Sequence, residues 1–138
     1  MIRLLALDMD GTCLNGRSRM TEETIRTIRK AADAGIIIVP TSGRPLTCLP
    51  YQMTQEKGLY RYTITSNGAQ VVDLEEKKTL FRMLMKRERV VQFLRECEEL
   101  NVVRMTHIQH RYVMEGPLME VAGRIVYGRD VDGHPQSQ

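Results

Sequence analysis

The sequence has little with which to build a covalent framework. Its 138 residues include three cysteines, Cys13, Cys48 and Cys97, an odd number with no CxxC spacing. That excludes a disulfide scaffold or a zinc knuckle and sets a reducing cytoplasm as the expected compartment. Long hydrophobic runs are missing too. Stretches such as Ile36–Val39 fall far short of the ~20 apolar residues that span a bilayer. The opening Met1–Leu7 meets Asp8 too early to be a signal-peptide core. No charge of one sign dominates. The net charge is +3, and the basic clusters Lys77-Lys78 and Lys86–Arg89 are broken up by acids. The footprint of a nucleic-acid binder is therefore absent, and a solvated face explains these residues. There is no internal repeat and no low-complexity tract. What remains, 42% apolar and 27% charged residues, is the composition of an ordinary globular protein with one domain, or one domain and part of another.

The chain reads as alternating strands and helices. Ile2–Leu7 is a continuous apolar run, the pattern of a strand buried on both faces in a parallel sheet. It ends in Asp8-Met9-Asp10-Gly11-Thr12. Thr21-Glu22-Glu23 offers a capping hydroxyl and first-turn acids, and Ile25, Ile28 and Ala32 follow at helical spacing up to Gly35. Ile36–Val39 is a second buried run, ending in Thr41-Ser42-Gly43-Arg44-Pro45. A weaker helix is expected over Pro45–Lys57, interrupted near Pro50. Tyr62–Thr65 is a third short strand, ending in Ser66-Asn67-Gly68-Ala69. Strand, loop and helix in this order predict an open α/β sheet with right-handed crossovers. The character changes after Val72. A strand over Leu80–Met85, an amphipathic helix over Glu88–Leu100 and strands over Val102–Thr106 and Arg111–Glu115 predict an α+β module, followed by a polar tail from Gly133.

Ligands of open α/β sheets bind outside the carboxyl ends of the strands. Three predicted strands end in small, polar, turn-forming loops, so parallel neighbours would bring all three to one crevice. Asp8 and Asp10 stand two apart, and extended backbone points such side chains the same way. Two adjacent carboxylates repel, and a hard cation such as Mg²⁺, bound by one or two carboxylates with waters and a phosphate, relieves the repulsion. Asp8 could then attack phosphorus while Asp10 serves as general acid and base. Gly11 and Thr12 would present backbone N–H groups to phosphoryl oxygens. Ser42 offers a hydroxyl, Gly43 close backbone approach and Arg44 a planar cationic fork. Asn67 would face the substrate. Each loop taken alone is equally a plain turn.

Taken together, the apolar strand followed by Asp8-Met9-Asp10-Gly11-Thr12 and Leu14 resembles the first motif of the haloacid dehalogenase-like (HAD) phosphatase superfamily. Ser42-Gly43-Arg44 is similar to its second motif, and Asn67-Gly68-Ala69 to a turn of the Cof-type branch, class IIB, which carries a large α/β cap. The resemblance implies an α/β fold. Residues 1–75 would form the first part of a Rossmannoid parallel-sheet core, residues 76–132 part of an α+β cap and residues 133–138 a polar tail. It also implies a Mg²⁺-dependent phosphatase of small phosphorylated metabolites, of sugar-phosphate type. Asp8 would be the nucleophile, with an aspartyl-phosphate intermediate, and Asp10 the acid/base. Ser42 and Arg44 would handle phosphate, and Asp8 and Asp10, the latter by its main-chain carbonyl, would hold the metal.

The family's lysine motif and its second acidic motif both follow the cap, and the sequence to Gln138 carries neither. The expectation is therefore a truncated chain, with activity lower than that of a complete relative by about 10²–10³-fold or more. It would also have an open sheet edge able to self-associate. The alternative is a non-catalytic remnant that binds phosphate or a partner. Gly128–Gly133 reads as a surface loop, the pair His107 and His110 lacks a third metal ligand, and Cys13 reads as a packed thiol.

Overall fold

A computed structural model describes residues 2–50, 58–100, 102, 104–108 and 111–115. The chain divides into two compact units, Met1–Leu84 and Met85–Gln138.

The first unit is built on a five-stranded sheet in the order β1-β2-β3-β4-β5. These strands are β1 (Leu4–Asp8), β2 (Ile37–Thr41), β3 (Tyr62–Thr65), β4 (Gln70–Asp73) and β5 (Lys78–Arg82). β1, β2 and β3 are parallel, with Asp8 beside Thr41 and Thr41 beside Ile64. β4 and β5 run on as an antiparallel meander, with an irregularity between Val71 and Val72. The sheet is thus mixed, its parallel half first. β2 runs through Pro40 to Thr41, beyond the expected end at Val39.

One helix, α1 (Glu22–Asp33), connects β1 to β2. Its start is fixed by Thr21, whose hydroxyl accepts from the Thr24 N–H at 3.1 Å. Its end is a Schellman closure. Gly35, at φ +83°, donates to Ala32 O at 2.8 Å, and Ile36 donates to Ala31 O at 3.2 Å. Ile28 is buried, with Ile25, Ala31 and Ala32 beside it. The core collects Met9, Leu14, Met20, Ile28, Ile38, Leu49 and Tyr60. Dispersed pieces of chain therefore hold the first strand-end loop against the sheet. A buried polar ladder joins the later strands. Thr63 donates to Pro40 O, Thr65 to Gln70 Oε1 and Gln70 to Thr79 Oγ1. Buried hydroxyls and amides thereby keep their partners.

Three expectations need correction. β1 is not buried on both faces: Leu4 is 53% and Leu5 37% exposed, and β1 is an edge strand with only β2 beside it among the described residues. In its described part, residues 45–50, the segment expected to be a helix over Pro45–Lys57 has a 3₁₀ turn, Leu46–Cys48, after which Leu49 is extended. Residues 51–57 lie outside the described residues. The strand expected over Leu80–Met85 lies over Lys78–Arg82 and pairs with β4. It continues the sheet of the first unit.

The second unit contains α2 (Arg87–Glu98) and the antiparallel hairpin β6 (Arg104–Ile108) and β7 (Arg111–Glu115). Cys97 is its buried helix residue, and Arg104 donates to Leu94 O at 3.0 Å. No helix among the described residues is long and apolar enough to cross a membrane.

Candidate active site

Parallel pairing of β1, β2 and β3 sends their carboxyl ends to one edge of the sheet. Asp8, Thr41, Ser42, Gly43, Ile64, Asn67 and Gly68 line a crevice of about 280 Å³ there. Backbone hydrogen bonds stitch the second loop to the third. Ser42 N donates to Ile64 O at 3.0 Å, Ser66 N to Arg44 O at 3.0 Å and Asn67 N to Ser42 O at 3.2 Å.

The first loop is a wide turn over Met9–Cys13, closed by Leu14 N to Met9 O at 2.9 Å. Gly11 sits at φ +78° inside it, where a residue with a Cβ would be strained. Met9 is fully buried and anchors the turn. Asp8 therefore opens on the crevice, and its Oδ2 accepts from Thr12 Oγ1 at 2.9 Å. Asp10 has other partners. Arg44 Nη2 donates to its Oδ1 at 2.6 Å and Arg44 Nε to its Oδ2 at 3.0 Å, while Ser42 Oγ donates to Oδ2 at 3.4 Å. The backbone N–H of Arg44 donates to Ser42 Oγ at 3.1 Å, so that hydroxyl both gives and receives.

The expected site residues thus fall into two groups. Asp8, Ser42, Gly43 and Asn67 border the crevice, with Gly11 and Thr12 in the turn beside it. Asp10 and Arg44 form an ion pair, and Ser42 touches both groups. Sequence reasoning missed Ser18, whose hydroxyl accepts from Arg44 Nη2 at 3.2 Å. It sits at φ +55° in a turn held by Asn15, whose Oδ1 accepts from the N–H groups of Arg17 and Arg19. The Asn-Gly step at Asn15-Gly16 signals that turn; nothing in the sequence signals the contact with Arg44. Thr41, beside Ser42 in the same loop, also lines the crevice.

Cys13 packs against the core, and burial, with the Asp8 carboxylate second, pushes its thiol above the ordinary value. A thiol held protonated is a poor nucleophile. No cluster of three or more His, Cys, Asp or Glu side chains occurs among the described residues. Asp8 is the carboxylate on the crevice. A cation held by the Asp8 carboxylate together with waters would suit the chemistry of Mg²⁺. His110 and Gly128–Gly133 lie outside the described residues.

Comparison with known proteins agrees with this architecture. A family model described as haloacid dehalogenase-like hydrolase matches residues 5–129. The chain is 38% identical over 84 residues to 5-amino-6-(5-phospho-D-ribitylamino)uracil phosphatase YcsE of Bacillus subtilis, a match covering 57% of this chain and 33% of that protein. It is 36% identical over 75 residues to an HMP-PP phosphatase of Yersinia pestis, covering 54% of this chain and 27% of that one. The solved structure of a HAD subclass IIB sugar phosphatase superposes with a TM-score of 0.77 at 24% identity, over 91% of this chain and 48% of its own. The matched region spans about a third of the curated relatives and about half of the structural neighbour. The chain belongs to the haloacid dehalogenase-like hydrolase family, whose phosphatases it resembles in sequence and fold.

Proposed function

We propose that the chain carries the phosphoryl-accepting part of a phosphatase for small phosphorylated metabolites of the sugar-phosphate kind, working in the cytoplasm. The observation that supports this most is the position of Asp8. It stands at the carboxyl end of β1 on a crevice shared with Ser42, Gly43 and Asn67. A carboxylate oxygen of Asp8 attacks phosphorus, the bond from phosphorus to the ester oxygen breaks, and Asp10 gives the leaving oxygen a proton. Water then attacks the aspartyl-phosphate and loses its proton to Asp10. The bond from phosphorus to Asp8 breaks, releasing inorganic phosphate and restoring both carboxyl groups. The Ser42 hydroxyl, turning from its long bond to Asp10, and the backbone at Gly43, Gly11 and Thr12 donate to the phosphoryl oxygens. Mg²⁺, when bound, offsets negative charge between Asp8 and the phosphoryl group, with the Asp8 carboxylate and the Asp10 main-chain carbonyl as this chain's donors.

Hydrolysis of p-nitrophenyl phosphate with and without Mg²⁺ tests this reading. Asp8→Asn should abolish Mg²⁺-dependent turnover while the circular dichroism spectrum stays unchanged. Undiminished turnover by that variant rejects the assignment.

A second reading, phosphate binding without turnover, draws on the lack of a third acidic group beside Asp8 among the described residues. The exposed leucines of edge strand β1 also support self-association through that edge. Light scattering on the eluting protein separates a dimer from a monomer.

A further inference from the structure

The sequence suggests Arg44 as a clamp on phosphate. The geometry points elsewhere: we propose that Arg44 is a positioning residue that holds the carboxylate of Asp10, with Ser18 as a further anchor of its guanidinium. This inference rests on the phosphatase reading for the use made of Asp10, but the contacts stand independently of it.

An arginine clamps a phosphate by offering two parallel N–H groups from one edge of its fork. The Nε and Nη2 edge of Arg44 is committed to Asp10, in two bonds of 3.0 and 2.6 Å. The other hydrogen of Nη2 is directed to Ser18 Oγ at 3.2 Å, and Nη1 donates to Cys48 O at 3.4 Å. The guanidinium therefore ties together the wide turn after β1, the Asn15–Arg19 turn and the 3₁₀ turn over Leu46–Cys48. Its side chain is only 12% exposed, against 49% for Asp10, and it is not among the residues lining the crevice. An anion entering beside Asp8 would have to displace the Asp10 carboxylate to reach that edge of the fork.

The backbone of Arg44 is fixed as well. Its carbonyl accepts from Ser66 N and its N–H donates to Ser42 Oγ. A carboxylate that passes a proton must present one oxygen at a set distance and angle, and small errors in such placement cost large factors in rate. Two bonds from a planar fork fix both the rotamer and the plane of a carboxylate that is half open to water. A lysine, with a single point of charge, cannot fix the plane.

The test uses the full chain labelled with ¹⁵N, following the Arg44 Nε–H resonance, which is identified by its loss in Arg44→Lys. Asp10→Asn should move that resonance and speed its exchange with water by about tenfold or more, since a charge-assisted bond is lost. Ser18→Ala should speed the exchange by a smaller factor. Inorganic phosphate with Mg²⁺ should move the amides of Thr12 and Gly43 and leave the Arg44 Nε–H in place. A phosphate clamp gives the opposite pattern, in which phosphate moves the Nε–H and Asp10→Asn does not; that pattern overturns the proposal. If phosphate moves no crevice amide, the phosphatase reading fails, while the Asp10→Asn result still decides the pairing. In p-nitrophenyl phosphate hydrolysis, Arg44→Lys should lower kcat about tenfold with KM within about twofold. A raised KM with unchanged kcat assigns Arg44 to phosphate instead and overturns the proposal.

Discussion

The Asn67 side chain fills the space that a Cβ on residue 43 would need. Its Oδ1 lies 2.8 Å from where that carbon would sit, and its Cγ and Nδ2 lie at 3.4 Å. Asn67 also donates its N–H to Ser42 O. The glycine in the second loop therefore leaves room for the Asn67 side chain of the third, which would have to shift to admit a Cβ.

Gly43→Ala should push the Asn67 amide aside and loosen the crevice. The expected outcome is phosphate binding weakened by about tenfold, with a stability loss of about 1–2 kcal/mol, typical of a small clash at a yielding side chain. Calorimetric titration with inorganic phosphate and urea unfolding check the two parts separately.

Asn67 holds φ +54°, between Ser66 at +52° and Gly68 at +89°. Asparagine tolerates this left-handed region better than most residues, and a residue with an ordinary Cβ costs roughly 1–2 kcal/mol there. Asn67→Ala should therefore destabilise the first unit by about that amount, and Asn67→Gly by clearly less. Equal losses in urea unfolding would mean that the side chain's contacts, not the backbone, set the cost.

Asp73 is buried at the end of β4. The N–H of Glu76 is the first cause of its lowered carboxyl pKa; the Arg61 guanidinium and the N–H of Glu75 add to it, against burial, which pushes the value up. A folded-state value below the unfolded one, ordinarily about 3.9, means that the unfolded chain binds more protons in acid. The stability Asp73 contributes is present above that ordinary value and is lost as pH falls through the folded one. Asp73→Asn should flatten the acid arm of the stability curve below about pH 4, and an unchanged arm contradicts the assignment. The variant retains an oxygen to accept from Glu75 and Glu76 but loses the charge facing Arg61.

The parallel half of the fold is legible in the sequence because its signals are local. Thr21, Ile28 and Gly35 mark a helix with both ends, and apolar runs that stop at glycine-bearing turns mark strand ends. Those turns meet because β1, β2 and β3 are parallel neighbours, so the crevice also follows from the pattern. The burial of β1 is not readable, since an apolar run does not say what covers either face of the strand. The bounds of β5 are less legible, because Leu80-Phe81 reads as an apolar strand start, whereas the strand begins at Lys78 after the Asp73-capped turn. Arg44 reads as a phosphate residue because a basic residue after Ser-Gly fits an anion. Its pairing with Asp10, 34 positions away, depends on tertiary approach that no local pattern encodes.

On the proposed reading, Asp8 accepts the phosphoryl group. Incubation with Mg²⁺ and p-nitrophenyl phosphate, an acid quench and borohydride reduction convert an aspartyl-phosphate to homoserine, which peptide mass spectrometry locates. Homoserine is expected at position 8 and none in Asp8→Asn. Homoserine at position 10 instead, or turnover that persists in Asp8→Asn, contradicts it.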